Sequence, residues 1–273
     1  MPFESALSPF LRGKWKVVLF GARSENVPCL PRLPLDRMSS FIPPAGYARI
    51  KVVKSFDELI STPFAGGINA LCWPRTLRGD FGEIVQRLGA GKGITTLDDA
   101  RLEALSLSDA GKIARDILLE DQVLLRTHGL SPVLDCIDGA PRDDESAVVS
   151  TDVYSFHADS APVAADTWLC SYSVSATEAL RNEEAQRRVD IPETRARLLH
   201  LFGGEDDDSF REFLAENCYD LHYVPKENAR PFSFGLGNLW RIAIEHPGSL
   251  VPPCIHRAPE TLPGQPPRLL LLS

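Results

Sequence analysis

After Ser108 the apolar residues recur at nearly helical spacing. Ala110, Ile113, Ala114, Ile117, Leu118, Leu124 and Leu125 form one stripe, with a serine placed to cap the first turn and His128-Gly129 to close the last. A shorter helix is predicted from Asp80 to Leu88, ended by Gly89, and no proline interrupts residues 75–131. From about Ser131 the period shortens. Runs of β character cover 133–137, 147–156, 167–174, 239–244 and 268–272, separated by turn-forming residues. In the third run Trp168, Cys170, Tyr172 and Val174 share one face, with Thr167, Ser171 and Ser173 on the other. Helical stretches at 178–188, 193–201 and 209–217 interrupt the β series, and the acidic turn 203–208 lies between the last two. Proline-rich segments at 28–44 and 247–267 punctuate the chain.

This layout predicts an α+β protein. Residues 1–130 form a mixed, largely helical region that packs on a β-rich core. Residues 131–273 close as an antiparallel barrel or jelly roll with a helical insertion at about 178–217. At 273 residues and 44% apolar content the chain can bury a sizeable core without disulfide or metal staples. The formal charge of −8, from 29 Lys plus Arg against 37 Asp plus Glu, disfavours nucleic acid and anionic membranes as partners. The apolar run at 17–20, flanked by Trp15, is far too short for a signal-peptide core, so a cytoplasmic location is expected. Cys29, Cys72, Cys136, Cys170, Cys218 and Cys254 are dispersed without a C-x-x-C pair and read as small, mostly buried hydrophobes.

Candidate chemistry begins at His157-Ala158-Asp159, at the end of a predicted strand through Val153, Tyr154 and Phe156. In an extended segment residues i and i+2 project to one side, so this imidazole and carboxylate can reach one metal ion. His256 ends another short segment and is followed by Arg257. Twelve residues after His256, Arg268 opens the apolar run Leu269-Leu270-Leu271-Leu272. An arginine at the mouth of a buried strand needs an anionic partner or an exit to water. A bound dicarboxylate is one such partner, and a pair with Asp166 or Glu260 is the ordinary alternative.

Together His157, Asp159 and His256 resemble the 2-His-1-carboxylate facial triad of non-haem iron(II) oxygenases. Their order is similar to that of the iron(II)/2-oxoglutarate-dependent oxygenases: H-x-D early in the β core, a distal His near its end and a basic residue some ten to fifteen positions on. The resemblance covers about residues 130–273. It implies a double-stranded β-helix (jelly-roll, cupin-like) core, Fe(II) held by the three ligands, and 2-oxoglutarate as cosubstrate. It further implies oxidation of a small-molecule or amino-acid-like substrate by molecular oxygen, with 2-oxoglutarate leaving as succinate and carbon dioxide. The carboxylate-binding role maps onto Arg268, with Arg257 an equally available alternative, and Trp168, Tyr172, Phe156 and Tyr154 are candidates for the shielding shell.

His128, His200, His222 and His246 show no metal-ligand spacing among themselves and read as structural or exposed. His222-Tyr223 precedes Pro225 and is a candidate to approach a substrate. The acidic turn lacks the alternating oxygen ligands of a calcium loop, and the glycines of 89–93 lack a Gly-Lys-Ser/Thr ending. No serine sits in a G-x-S-x-G elbow. Two other functions stay open: a cupin-like metalloprotein with the same ligands but no 2-oxoglutarate, and a non-catalytic ligand-binding domain.

Overall fold

The computed structural model describes residues 41–262 and 264–273. The apolar run at 17–20, Trp15, Cys29 and the first part of the proline-rich segment lie outside the described residues. In chain order the strands are β1 (Ile50–Val52), β2 (Ala70–Trp73), β3 (Gly93–Leu97), β4 (Val133–Asp138), β5 (Phe156–His157), β6 (Asp166–Ser171) and β7 (Glu178–Leu180). They continue with β8 (Ala185–Arg187), β9 (His222–Pro225), β10 (Phe232–Ser233), β11 (Leu239–Ala243), β12 (Ile255–Arg257) and β13 (Arg268–Leu272). The helices are α1 (Phe56–Ser61), α2 (Phe81–Leu88), α3 (Asp99–Glu103), α4 (Asp109–Thr127), α5 (Pro192–Phe202) and α6 (Asp208–Glu216).

Local chemistry sets the helix ends. Ser108 accepts from the Gly111 N–H and Asp80 from the Glu83 N–H, each satisfying an orphan donor of a first turn. Gly89 ends α2 at φ 53°, in the left-handed region that glycine enters without a Cβ clash. Among the described residues no helix is long and apolar enough to cross a membrane.

The strands form two sheets. One has the order β1-β2-β11-β6-β13-β4-β3 and the other β10-β7-β12-β5-β9-β8. Four antiparallel pairs link progressively closer parts of the chain: β4 with β13, β5 with β12, β6 with β11 and β7 with β10. They are the rungs of one long ribbon, and its successive rungs alternate between the two sheets. The β6–β13 and β7–β12 pairings then stitch the turns of the ribbon together.

Side-chain alternation divides the core. Trp168, Cys170, Tyr172, Leu269 and Leu271 project to one face of the seven-stranded sheet, where Phe81, Ile84, Leu118 and Leu125 of α2 and α4 cover them. Leu169, Trp240, Ile242 and Leu272 project to the other face and meet Ala179 and Cys254 from the six-stranded sheet. The helical layer is fastened by one buried ion pair. Arg75 Nη1 and Nη2 donate to Asp121 of α4 at 2.6 and 2.8 Å, and the Tyr172 hydroxyl donates to the same carboxylate at 2.6 Å. Burial, reinforced by the Asp121 charge, holds the Tyr172 phenol well above its ordinary range, so it stays a donor.

Several expectations need correction. The 178–188 segment is not an α-helix but two short strands, β7 and β8, joined by a 3₁₀ turn. Ala179 and Leu180 are buried in β7 between β10 and β12, and β8 pairs with β9, so cross-strand packing overrides the helix propensity of Glu, Ala and Leu. The helical part of the insertion is α5 and α6, with short 3₁₀ turns before and after them. Only Phe156 of the predicted 147–156 strand is extended in a ladder. Upstream, the Asp143 and Asp152 carboxylates accept the N–H groups of Thr151, Tyr154 and Ser155, turns that compete with strand pairing. From the region before residue 130, β1, β2 and β3 hydrogen-bond into the seven-stranded sheet. Cys218 is exposed, whereas Cys72, Cys136, Cys170 and Cys254 are buried.

Removing Asp121 strands the Arg75 cation beneath the helices. Asp121→Ala is expected to cost about 3–5 kcal/mol of unfolding free energy, because one partner of a buried pair is left uncompensated. Urea denaturation of the two proteins measures it, and a loss below about 1 kcal/mol would show that water reaches the pair.

Candidate metal centre

The register of three short strands assembles the centre. His157 of β5 lies directly opposite His256 of β12 on one side and opposite His222 of β9 on the other. Directly opposed residues of antiparallel strands share a face. The three imidazoles therefore stand in a row, with ring centroids 4.7 Å apart for His157–His256 and 5.6 Å for His157–His222. Asp159 continues from β5, its backbone held by Glu245 N–H, and returns its carboxylate to the same side. The His157 and His256 Nε2 atoms lie 3.8 and 3.7 Å from the two Asp159 oxygens.

One ligand atom from each of His157, Asp159 and His256 falls within 4.8 Å of the others. Two atoms each bonded to one ion at about 2.1 Å stand at most about 4.2 Å apart, so the cage needs only a small contraction to close. The tautomers fit. His157 Nδ1 meets the Ser155 carbonyl at 2.7 Å and His256 Nδ1 meets the Cys254 carbonyl at 3.3 Å. A carbonyl can only accept, which puts the proton on each Nδ1 and leaves each Nε2 lone pair facing Asp159. The Thr167 hydroxyl donates to Asp159 Oδ2 at 2.6 Å, orienting the anionic ligand from the opposite sheet.

Electrostatics agree with this arrangement. Burial, then the adjacent His256, push His157 below its ordinary value, keeping the ring neutral. Burial alone would raise Asp159, but the two imidazoles and the Thr167 hydroxyl outweigh it and hold the carboxyl below the ordinary range. Burial, then the Asp159 charge, raise the nearby Cys254 thiol far above its usual value, so it stays protonated and does not compete as a thiolate ligand. A set of two imidazoles and one carboxylate suits a divalent transition ion and leaves coordination positions open.

The other predicted site residues divide cleanly. Arg257 is already occupied: its Nε and Nη2 meet Glu178 Oε2 at 2.9 and 2.7 Å, and the guanidinium lies 4.5 Å over the Phe156 ring. Arg268 has no hydrogen bond or ion pair among the described residues, and its Nη1 is buried without a partner. The two pairs expected for it are made elsewhere, Asp166 with Arg241 and Glu260 with Arg142. Burial pushes Arg268 down to about 10, which leaves it charged at neutral pH. Register places Arg268 on the same face of the sheet as Thr167, toward the interior between the sheets.

Trp168 and Tyr172 do not line the centre. They alternate with Thr167 and Ser171 and face the helical layer instead. Phe156 alternates with His157 and packs with Leu180 and Ile255 on the outer face of the six-stranded sheet. The Tyr154 hydroxyl accepts from the Ala140 N–H, and Arg142 covers its ring at 3.9 Å. His128 and His200 are exposed and His246 is half-buried, whereas His222 is 4% exposed and adjoins the centre. Burial, then His157, push His222 down to about 3, so it is neutral. The polar alternation of Thr167, Ser171 and Ser173 was the sequence signal for the Asp159 support, but no spacing rule announced His222. A surface cleft of about 840 Å3 includes Ser160 and Leu221, the chain neighbours of Asp159 and His222, although none of the candidate ligand side chains lines it.

Two measurements check the centre. Thr167→Val, which keeps the shape and removes the donor, is expected to weaken metal binding about 10- to 100-fold, and His157→Ala to abolish stoichiometric binding. Because the folded-state value of His157 is lowered, protons compete for it only below the ordinary imidazole value of about 6.5. Metal affinity, followed by competition with a chromophoric chelator, should therefore stay flat from pH 8 to 6.5 and fall at lower pH. A steep fall already between pH 8 and 7 would mean that the His157 ring is not held neutral. No protein-family model, curated protein or solved structure matches the chain, so the reading of the centre rests on its own geometry.

Proposed function

We propose that the protein is an iron(II)- and 2-oxoglutarate-dependent oxygenase, acting in the cytoplasm on a small-molecule or amino-acid-like substrate. The observation that carries the reading is the His-Asp-His group, whose two Nε2 atoms face Asp159, together with half-buried Arg268, whose Nη1 is buried without a partner among the described residues and whose register puts it on the interior face of the seven-stranded sheet. An uncompensated interior cation destabilises a folded chain unless a ligand supplies the anion. A dicarboxylate bound to the metal at its 2-oxoacid end and to Arg268 at its distal end supplies one.

Topology supports the same reading. Numbering the ribbon strands β4, β5, β6, β7, β10, β11, β12 and β13 from first to eighth gives sheet orders 1-8-3-6 and 2-7-4-5, the pairing of a jelly roll wound into a double-stranded β-helix. In that core the H-x-D and distal-His positions fall on the second and seventh strands, which lie side by side.

His157, Asp159 and His256 would hold iron(II), which supplies the redox and oxygen chemistry when bound. The chain's own contributions are placement and shielding. The two backbone-locked imidazoles and the Thr167-oriented carboxylate occupy one side of the site and leave the other for cosubstrate and oxygen. Arg268 orients the cosubstrate through a charge-assisted pair. The apolar layer of Leu169, Trp240, Ile242 and Leu272 keeps bulk water from the interior.

Anaerobic addition of 2-oxoglutarate to the iron(II)-loaded protein should produce a visible metal-to-ligand absorption band. Arg268→Gln should weaken cosubstrate binding at least tenfold while leaving iron affinity within about twofold, since the arginine is not a ligand. Iron binding without any spectral response to 2-oxoglutarate would overturn the oxygenase reading in favour of a cupin-like metalloprotein.

A further inference from the structure

Arg268 is not the only cation left without a partner. Arg188 opens the 3₁₀ turn after β8, and its guanidinium makes no hydrogen bond or ion pair among the described residues, with Nε buried. Its neighbour Arg187 is tied down, donating from Nε to the Asp220 carbonyl. The β8–β9 register pairs Arg187 with Tyr223, so one further step brings Arg188 level with His222. The turn carrying Arg188 packs against β9.

His222 is itself unexplained by the metal centre. It is 4% exposed, its Nδ1 has no partner among the described residues, and it stands beside His157 in the row of imidazoles. A buried polar atom without a partner costs about 1–3 kcal/mol, so its retention calls for a ligand group. Across the six-stranded sheet Ala179, His256, His157 and His222 are in register on one face, and Arg188 follows β8 as the first residue of the 3₁₀ turn that packs on β9. The first two histidines belong to the metal, and the last two positions offer donors with nothing to donate to.

We propose that Arg188 and His222 form a subsite for a single carboxylate of the primary substrate, one strand away from the metal ligands. A guanidinium presents a planar fork of donors matched to a carboxylate, and a neutral imidazole adds one more. The charge count favours a monoanion. Asp152 is the acidic group whose field reaches both Arg188 and His222, and it offsets part of the cation. It does not pair with Arg188, because its oxygens accept the N–H groups of Asp143, Tyr154 and Ser155. A dianionic phosphate would meet that carboxylate with twice the charge of a monocarboxylate, so the singly charged group is the better match. The assignment rests on the oxygenase reading for its substrate and gives that substrate a chemical class: a carboxylic acid, oxidised at a carbon near its carboxylate.

The test uses acetate as probe and the full chain loaded with cobalt(II), whose paramagnetism broadens the methyl signal of acetate bound nearby. Working in an Arg268→Gln background removes the other unpaired interior guanidinium. Acetate is expected to titrate to saturation there, and adding Arg188→Gln should weaken it tenfold or more, with Arg188→Lys recovering part of the loss. His222→Phe should weaken it as well. Cobalt content and thermal unfolding, measured on each variant, confirm that fold and metal centre persist. Acetate broadening that is unchanged by Arg188→Gln, as direct binding to cobalt alone would give, overturns the subsite. A chain that takes up no cobalt overturns centre and subsite together. A chain that takes up iron but ignores 2-oxoglutarate overturns the oxygenase reading, while the acetate titration still decides the subsite.

Discussion

The centre depends on one register: His256 faces His157 across an antiparallel pair of strands only two and three residues long. Slipping either strand by a single residue would turn its histidine to the opposite face and replace it with Phe156 or Ala158, or with Ile255 or Arg257. Short strands carry few hydrogen bonds of their own, so the register must be imposed from outside. The neighbours impose it. β7 grips β12 through three paired residues, the Arg257–Glu178 ion pair locks the same junction, and β9 pairs with β5 on the far side. Arg257, attractive as a ligand-binding group, instead keeps His256 in place.

The two sheets have divided duties. The seven-stranded sheet turns one face to the helices, where Arg75, Asp121 and Tyr172 form a satisfied polar knot within an apolar layer. Its other face lends Thr167 and Arg268 to the interior, and the six-stranded sheet supplies the histidines. Strand alternation lets one strand do both jobs: in β6, Trp168 and Cys170 hold the helices while Thr167 holds Asp159.

The strongly periodic elements were legible in the sequence, and so was the convergence of the three candidate metal ligands. α2 and α4 carry both a 3.6-residue stripe and capping residues, and His157, Asp159 and His256 stood out by spacing and order. Less legible were segments whose structure is set by partners distant in sequence. Residues 178–188 read as helix because their side chains favour one, yet β10 and β12 lie more than fifty and seventy residues downstream and decide otherwise. The roles of Trp168 and Tyr172 were misassigned for a related reason. The alternation was read correctly, but which face meets the other sheet depends on where the helices dock. His222 could be singled out in the sequence but not placed beside His157, because a two-residue ladder leaves no periodic trace.

The amino-terminal strands have a consequence for how this chain can be divided. The rolled ribbon alone would end at β11 on one side and β4 on the other, each with a row of unsatisfied backbone groups. β2 covers the first and β3 the second. A fragment beginning near residue 130 would keep every candidate metal ligand and Arg268, yet expose two sticky margins open to pairing with other copies. β2 and β3 thus act as a hem on the two margins of the ribbon's part of the seven-stranded sheet.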